Sequence, residues 1–246
     1  MDFTLKKYRE LLRALKDYGD VILRHDVDLK PQNSLRTAQI ESELGWKATY
    51  YFRAVPESWD DSVILEIASL GHEIGYHYES LTTYDGNMEA AYQDFCKNLE
   101  ALRKLVPVSS ICMHGSPKSK WDSRDLWKHY DYHDLGITFE PYLDTDFSKR
   151  FYLTDTGRRW DGYKVSVRDK IPKHQDEWTQ KGWVYHSTDD IIKAIHRNEL
   201  PRCLMMTTHP QRWTDQKTEW VKELVVQKLK NVVKKVLVKK KPTTYS

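Results

Sequence analysis

Side chains that bind metals or transfer protons follow the predicted buried strands of this chain. Because active residues of parallel α/β barrels lie on loops that leave the carboxyl ends of strands, we expect these side chains at one rim. Carboxylates and imidazoles are common ligands of divalent cations, so the pattern predicts a metal-dependent site. The residues are Asp26 and Asp28 after the first strand, Arg53 after the second, His77 and Glu79 after the third, His114 after the fourth, Glu140 after a later strand and His209 after the last.

Asp26 and Asp28 are two residues apart, so their side chains point the same way if the strand continues through both. Two adjacent carboxylates repel each other unless a positive charge lies nearby. A divalent cation would supply that charge, with one carboxylate as ligand and the other as base. Two alternatives stay open: the aspartates cap the helix that begins near Pro31, or they pair with Arg24.

The ten histidines are not equally good candidates for metal ligands. His77 stands at the end of its strand and is the better candidate. His72 lies five residues earlier on the opposite face, so we expect it to make a structural hydrogen bond. The remaining histidines of helices and polar loops are given no role: His129, His133, His174, His186 and His196.

Short apolar runs alternate with helical patterns between residues 20 and 212, which predicts βα units and a parallel sheet. No linker rich in Pro, Gly or Ser divides the chain, so we expect one domain over 1–246, with a barrel over 20–213 and a basic helical tail over 214–246. Strands are predicted at 21–26, 48–53, 72–77, 108–114, 137–140, 151–153, 164–167 and 203–209. Helices are predicted at 32–44, 62–70, 87–105, 124–130, 188–197 and 215–240.

The composition excludes several classes of protein. Aromatic residues make up 12% of the 246 residues despite 30% charged residues, which argues against disorder. The longest stretch without a charge, residues 105–117, is too short and polar to span a bilayer. The first twenty residues lack the apolar core of a secretion signal, so we expect a cytoplasmic protein. Three widely spaced cysteines fit a reducing compartment and exclude a cysteine-rich zinc module.

Four segments resemble a known family. RHDVD (24–28), ATYYFR (48–53), GHEIGYH (71–77) and MMTTHP (205–210), in this order, resemble the NodB-like polysaccharide deacetylases, which are carbohydrate esterases. The resemblance covers about residues 20–213. It implies an α/β fold, a distorted seven-stranded (β/α) barrel, and metal-dependent hydrolysis of an acyl group on a sugar.

The resemblance also implies roles for individual residues. Asp26 corresponds to the family's base, Asp28 and His77 to metal ligands, and His209 to the histidine that protonates the leaving amine. The family's second metal histidine falls on Leu81. Because catalytic zinc sites normally have three protein ligands, another residue must supply the third, with His114 as first choice and Glu79 as second.

Other residues are expected to contact the substrate. The family's arginine of the fourth-strand motif is absent here, and Arg53 or Arg158 could replace its charge. Trp160, within DTGRRWDG (155–162), either forms a wall of the site or is a core indole. The expected substrate contacts are Arg53, Glu79, Glu140, Arg158 and Trp160.

Two functions compete. The first is a metal-dependent hydrolase, with zinc as the expected metal, that removes an acetyl or other acyl group from an amino sugar or a sugar-containing precursor. The second, motivated by Leu81 and the missing arginine, is a metal-free, non-catalytic barrel that binds a carbohydrate or an assembly partner. Nucleic-acid binding is not expected, because the basic residues of the tail are lysines without an aromatic platform and the body is acidic.

The tail carries the positive charge of the chain. Residues 214–246 contain nine lysines against three acidic residues, while the net charge of the whole chain is only +3. Val225, Leu229, Val232 and Val236 fall on one stripe of the predicted helix. This helix could lie on anionic lipid at the inner membrane face, or it could pack its valines on the barrel. Both alternatives stay open, and the oligomeric state is not predicted.

Overall fold

The structure is a computed structural model that describes residues 1–116, 119–161, 166 and 169–240, with side chains up to residue 232. Eight α-helices and six strands lie in these ranges. The helices are α1 (Leu5–Leu15), α2 (Pro31–Glu43), α3 (Asp61–Ser69), α4 (Ser80–Thr83), α5 (Met88–Arg103), α6 (Pro172–Gln180), α7 (Thr188–His196) and α8 (Lys217–Lys240). The strands are β1 (Asp20–Val27), β2 (Thr49–Phe52), β3 (Glu73–Tyr78), β4 (Ile111–Met113), β5 (Phe151–Thr154) and β6 (Cys203–Thr208).

The described chain divides into two compact units. Unit 1 contains Met1–Ile22 and the described residues from Phe147 onward, and unit 2 is Leu23–Asp146. The division falls inside β1. The prediction of one domain over 1–246 stays a prediction, and the two units are described in turn.

Unit 2 is built on four parallel strands in the order β4-β3-β2-β1. Asp26 pairs with Tyr51, Phe52 with Tyr76, and His77 with Cys112, so the carboxyl ends of all four strands meet at one edge. The register therefore aligns the residues that follow each strand, as the sequence pattern predicts.

The opposite face of β1 explains why His25 takes no part at that edge. Its Nε2 lies 2.7 Å from Glu41 Oε1 of α2, and the Tyr50 hydroxyl donates to Glu41 Oε2 at 2.6 Å. All three side chains are buried. Because strand residues alternate between faces, this polar cluster under α2 directs Asp26 to the other side.

Unit 1 contains the parallel pair β5–β6 and an aromatic core. The Trp213 ring meets Phe3 and Tyr8 at centroid distances of 5.1 Å each. Helix α7 begins with a capping box, in which Ser187 and Asp190 satisfy each other's backbone N–H groups. The acidic first turn of α7 agrees with the predicted start at Thr188.

Helix α8 does not bury its apolar stripe. Val225, Leu229 and Val232 are all exposed, and the side chain of Val236 lies outside the described residues. The alternative in which these side chains pack on the barrel is therefore wrong. Among the described helices, none is both long and apolar enough to cross a membrane.

Two predicted elements differ in the structure. The strand predicted at 137–140 is reduced to one parallel bridge between Ser110 and Phe139. It ends there because the Glu140 N–H donates to Asp144 Oδ2 at 2.6 Å and the chain turns. The helix predicted at 124–130 is a 3₁₀ helix, Ser123–Lys128.

The strand predicted at 164–167 falls largely outside the described residues. These residues contain six strands, whereas the resemblance implied seven.

Gly75 allows β2 and β3 to pack closely. A Cβ atom at Gly75 would lie 2.4 Å from two ring carbons of Tyr51, which is fully buried. We expect G75A to lower the free energy of unfolding by about 1–3 kcal/mol through overpacking, measured by urea denaturation. In a Y51L background the cost of G75A should fall, because the ring is gone. An equal cost in both backgrounds would show that the clash with Tyr51 is not the cause.

Candidate metal centre

Three potential ligands converge at the carboxyl edge of the strands in unit 2. Asp28 Oδ1 lies 3.7 Å from His77 Nε2 and 3.6 Å from His114 Nε2. The ligand atoms of Asp28, His77 and His114 all lie within 4.8 Å of one another. The structure thus brings together the two ligands that the resemblance implies and the first choice for the third.

The ring of His77 is fixed from behind by the neighbouring strand. Its Nδ1 lies 2.9 Å from the Cys112 carbonyl oxygen. Because a carbonyl oxygen only accepts hydrogen bonds, Nδ1 carries the proton and the Nε2 lone pair faces Asp28. A neutral imidazole oriented in this way is the form that binds metals.

The ring of His114 is fixed by a carboxylate. Its Nδ1 lies 2.8 Å from Glu79 Oε2, and Arg53 donates to Glu79 Oε1 from Nε at 2.8 Å and from Nη2 at 2.6 Å. Burial of Glu79 favours a higher pKa, but His114 and Arg53 outweigh it and lower the pKa of Glu79 to about 2. Glu79 therefore orients His114, and the prediction of His114 before Glu79 as the third ligand stays a prediction.

Arg53 also fixes the loop that carries Asp28. Its Nη1 donates to the Asp28 carbonyl oxygen at 3.1 Å. The Ser58 hydroxyl donates to the Val27 carbonyl oxygen at 2.5 Å and accepts from the Arg53 N–H at 3.0 Å. The backbone around Asp28 is thus held by side chains from the loop after β2.

The three ligands fit a divalent cation. Zinc bonds of about 2.0–2.1 Å at tetrahedral angles separate ligand atoms by roughly 3.3 Å. The distances of 3.6 and 3.7 Å to Asp28 exceed this by a few tenths of an ångström, which small side-chain rotations can close. Two imidazoles and one carboxylate are also a set found in catalytic zinc sites. Leu81 is fully buried in α4 and offers no ligand atom.

Asp26 lies beside this centre and pairs with Arg24. Arg24 Nη2 donates to both carboxylate oxygens, at 3.1 and 2.9 Å, and Asp26 Oδ2 is 3.9 Å from His77 Nε2. The Arg24 alternative for Asp26 is thus confirmed, together with its closeness to the candidate ligands. The capping alternative is wrong, because the N-cap of α2 is Lys30 and no side chain caps it.

Arg24 and Tyr142 lie at the centre although neither was predicted as a site residue. The Arg24 guanidinium lies over the Tyr142 ring, 4.8 Å from its centroid, and Nη2 is 3.2 Å from the Tyr142 hydroxyl. Arg24 could have been found, because it lies two residues before Asp26 in β1 and therefore shares a face with it. Tyr142 follows a turn and carries no such signal.

Glu140 is fully buried and holds the backbone around it. One carboxylate oxygen accepts from the Met113 N–H at 3.0 Å, and the other accepts from the N–H groups of Tyr142 at 2.6 Å and Leu143 at 3.0 Å. Burial raises its pKa. These bonds give Glu140 a structural task, and its predicted substrate contact stays a prediction.

His209 is held by a buried carboxylate in unit 1. Its Nδ1 lies 2.6 Å from Asp155 Oδ1, which also accepts from Arg212 Nη1 at 2.7 Å. The Trp213 indole donates to Asp155 Oδ2 at 2.7 Å. Burial of Asp155 favours a higher pKa, but Arg212 and His209 outweigh it and lower the pKa. Asp155 was missed, although it directly follows β5 and satisfies the strand-end criterion.

Two predicted substrate contacts of unit 1 lie among aromatic side chains. Trp160 is buried, and its indole donates to Thr188 Oγ1 at 2.9 Å, as expected of a core indole. Arg158 lies over the Trp220 ring, 4.5 Å from its centroid, and donates to the Trp220 carbonyl oxygen at 3.1 Å. Their roles in substrate binding stay predictions.

The prediction for His72 is confirmed. Its Nδ1 accepts from the Ala48 N–H at 3.2 Å, so Nε2 carries the proton and donates to the Ala38 carbonyl oxygen at 3.0 Å. Burial lowers the pKa of His72. Both ring nitrogens are used in joining β2 to α2.

Comparisons with known proteins give the following similarities. No protein-family model matches the chain. The chain is similar to a family 4 carbohydrate esterase from Bacillus anthracis, with 12% identity and a TM-score of 0.44 over 90% of this chain and 84% of that one. It is similar to wild-type BA3943, a CE4 family pseudoenzyme from Bacillus anthracis, with 14% identity and a TM-score of 0.44 over 86% of this chain and 61% of that one. These structural neighbours are proteins of carbohydrate esterase family 4, and the second of them is a pseudoenzyme.

One curated protein also matches part of the chain. It is the exonuclease 3'-5' domain-containing protein 2 of Drosophila melanogaster, with 29% identity over 113 residues, or 46% of this chain. The chain spans only 18% of the length of that relative.

The Asp155 cluster makes a pH-dependent contribution to stability. Because the pKa of Asp155 is lowered on folding, its contribution is present above its unfolded value of about 3.9 and is lost as pH falls through the folded pKa. We expect D155N to lower the free energy of unfolding by about 3–5 kcal/mol at pH 7 and by progressively less as the pH falls below about 3.9, measured by urea denaturation. The exposed D176N variant serves as the control, and an equal loss at every pH would contradict the assignment.

Proposed function

We propose that this chain is a metal-dependent hydrolase that removes an acyl group, in the first place acetyl, from an amino sugar or a sugar-containing precursor. The observation that carries the proposal is the pair of histidines that turn Nε2 toward Asp28, with Asp26 beside them. The resemblance to polysaccharide deacetylases supports the class of reaction.

Asp28, His77 and His114 would hold a divalent cation, with zinc as the expected metal. The cation supplies polarisation of the acyl carbonyl and acidification of a water molecule. Glu79 and Arg53 are positioning residues, because they act on the centre by fixing the His114 ring and the Asp28 loop.

Asp26 is proposed as the general base. Its carboxylate lies 3.9 Å from His77 Nε2, and Arg24 holds both of its oxygens in place. A carboxylate fixed next to the reacting atoms can take the proton of the attacking water.

His209 is proposed as the general acid that protonates the leaving amine. Asp155 holds its Nδ1, so proton transfer would use Nε2. The carboxylate also stabilises the imidazolium form that must donate the proton. Amide hydrolysis needs this step because an amide anion is a very poor leaving group.

The proposal predicts which histidines hold the metal. Protein dialysed without chelator should contain about one zinc per chain by elemental analysis, and H77A and H114A should each lose most of it, because two ligands hold zinc poorly. The exposed H133A variant should keep the metal. Equal metal content in H114A and wild type would show that His114 is not the third ligand.

Substitution of the proposed general base, Asp26, tests the proposed reaction. We expect D26N to lower kcat for acetate release from N-acetylated amino-sugar oligosaccharides by about 10²–10⁴-fold while the zinc content stays unchanged. The exposed D176N variant should retain wild-type turnover. Wild-type turnover in D26N would contradict the base assignment, and sugar binding without metal or turnover would establish the non-catalytic alternative.

A further inference from the structure

Helix α8 attaches to unit 1 through polar side chains. The Trp220 indole donates to the Asp2 carbonyl oxygen at 2.6 Å, and Asn231 Nδ2 donates to the Gly157 carbonyl oxygen at 2.8 Å. Gln227, which lies between them on the same face, is buried and donates to Asn231 Oδ1 at 2.7 Å. The inward face of α8 therefore makes polar contacts with the rest of unit 1.

The outward face of α8 is apolar. Val221, Val225, Leu229 and Val232 are 52%, 52%, 65% and 64% exposed. Successive residues of an α-helix are rotated by about 100°, so the spacing of four, four and three residues places these side chains within an arc of about 80° around the helix axis. We call these four residues the outer stripe. The centre of this arc lies roughly 140° around the helix from Trp220, Gln227 and Asn231. This arrangement is the reverse of the usual one, in which the apolar face of a helix packs inward.

Lysines border the outer stripe on both sides. Lys222 lies on one side and Lys217 and Lys228 lie on the other, and all three are exposed. The two acidic residues of the helix, Glu219 and Glu223, lie on the inward side and are partly buried. The sequence adds five more lysines between residues 234 and 241. The surface thus combines an apolar centre with positive edges.

This charge pattern favours one of two possible binding partners of the outer stripe, a second copy of the chain or a lipid surface. A second copy of the chain would bring the lysine edges of two stripes together, with no acidic side chain on that face to pair with them. An anionic lipid surface matches both the apolar centre and the lysine edges. The valines and the leucine can insert at the boundary between headgroups and acyl chains, while the lysines contact the phosphates.

We propose that the outer stripe of α8 docks on the surface of an anionic membrane, with the helix lying in the plane of the interface. Neutral bilayers satisfy only the apolar part of the surface, so binding requires negatively charged lipid. The lysines beside the stripe make the interaction dependent on ionic strength.

The full-length protein is tested by co-sedimentation with vesicles of phosphatidylcholine alone and of phosphatidylcholine with one part in three phosphatidylglycerol. Wild type should pellet with the anionic vesicles, and L229D should stay in the supernatant. L65D, which places the same change on an exposed leucine of α3, should pellet like wild type. Equal thermal unfolding midpoints of L229D and wild type will show that the helix substitution leaves the fold intact.

The lysine edge is tested within the same helix. K228Q should weaken binding to the anionic vesicles by about fivefold, because it removes one charge next to the stripe. K230Q removes an equal charge from a position well away from the stripe and should have a smaller effect. Raising the salt concentration should weaken wild type more than K228Q.

Three results would overturn the proposal. The first is the absence of wild-type binding to anionic vesicles, and the second is equal binding to neutral vesicles. The third is a concentration-dependent dimer in sedimentation velocity that L229D abolishes, which would make the stripe an interface between copies of this chain.

Discussion

The imidazoles of His77 and His114 turn Nε2 toward Asp28 because each has an acceptor behind its Nδ1. For His77 that acceptor is the Cys112 carbonyl oxygen of the neighbouring strand, and for His114 it is the Glu79 carboxylate. Without these acceptors the Nδ1 protons would be unsatisfied and the rings would turn. The orientation of both rings, and with it any use of the centre for a metal, depends on these two hydrogen bonds.

The charges around the centre leave room for a cation. Asp26, Asp28 and Glu79 supply three carboxylates, while Arg24 and Arg53 supply two guanidinium groups. Arg24 pairs with Asp26 and Arg53 with Glu79, and these five side chains together carry one more negative than positive charge. A divalent cation at Asp28, His77 and His114 would therefore relieve a local excess of negative charge. In the proposed centre, His114 would supply the ligand that Leu81 does not, because β4 lies next to β3 and brings His114 to the same edge.

Much of this centre could be predicted from the sequence because the signal is local. A buried strand ends where its apolar run ends, and parallel strands bring their ends together, so Asp28, His77 and His114 were expected to meet. The hydrogen bond from His114 to Glu79 could not be predicted. A carboxylate that binds a metal and one that orients a histidine have the same sequence signal, and only the direction of the oxygen atoms distinguishes them. The structural bonds of Glu140 and Trp160 could not be predicted, because Met113 and Thr188 are far from them in the sequence, and their predicted substrate contacts stay predictions. Helix α6 was missed because its only buried side chain is Trp178, which leaves no periodic apolar pattern.

The most direct test of the centre is anomalous diffraction at the zinc absorption edge from crystals of the wild-type protein. The account predicts one peak bonded to Asp28 and to the Nε2 atoms of His77 and His114, at about 2.0–2.1 Å from each nitrogen. It also predicts that the Nδ1 atoms stay hydrogen-bonded to Cys112 and Glu79. A peak that excludes His114, or zinc-soaked crystals with no anomalous peak among these three residues, would contradict it.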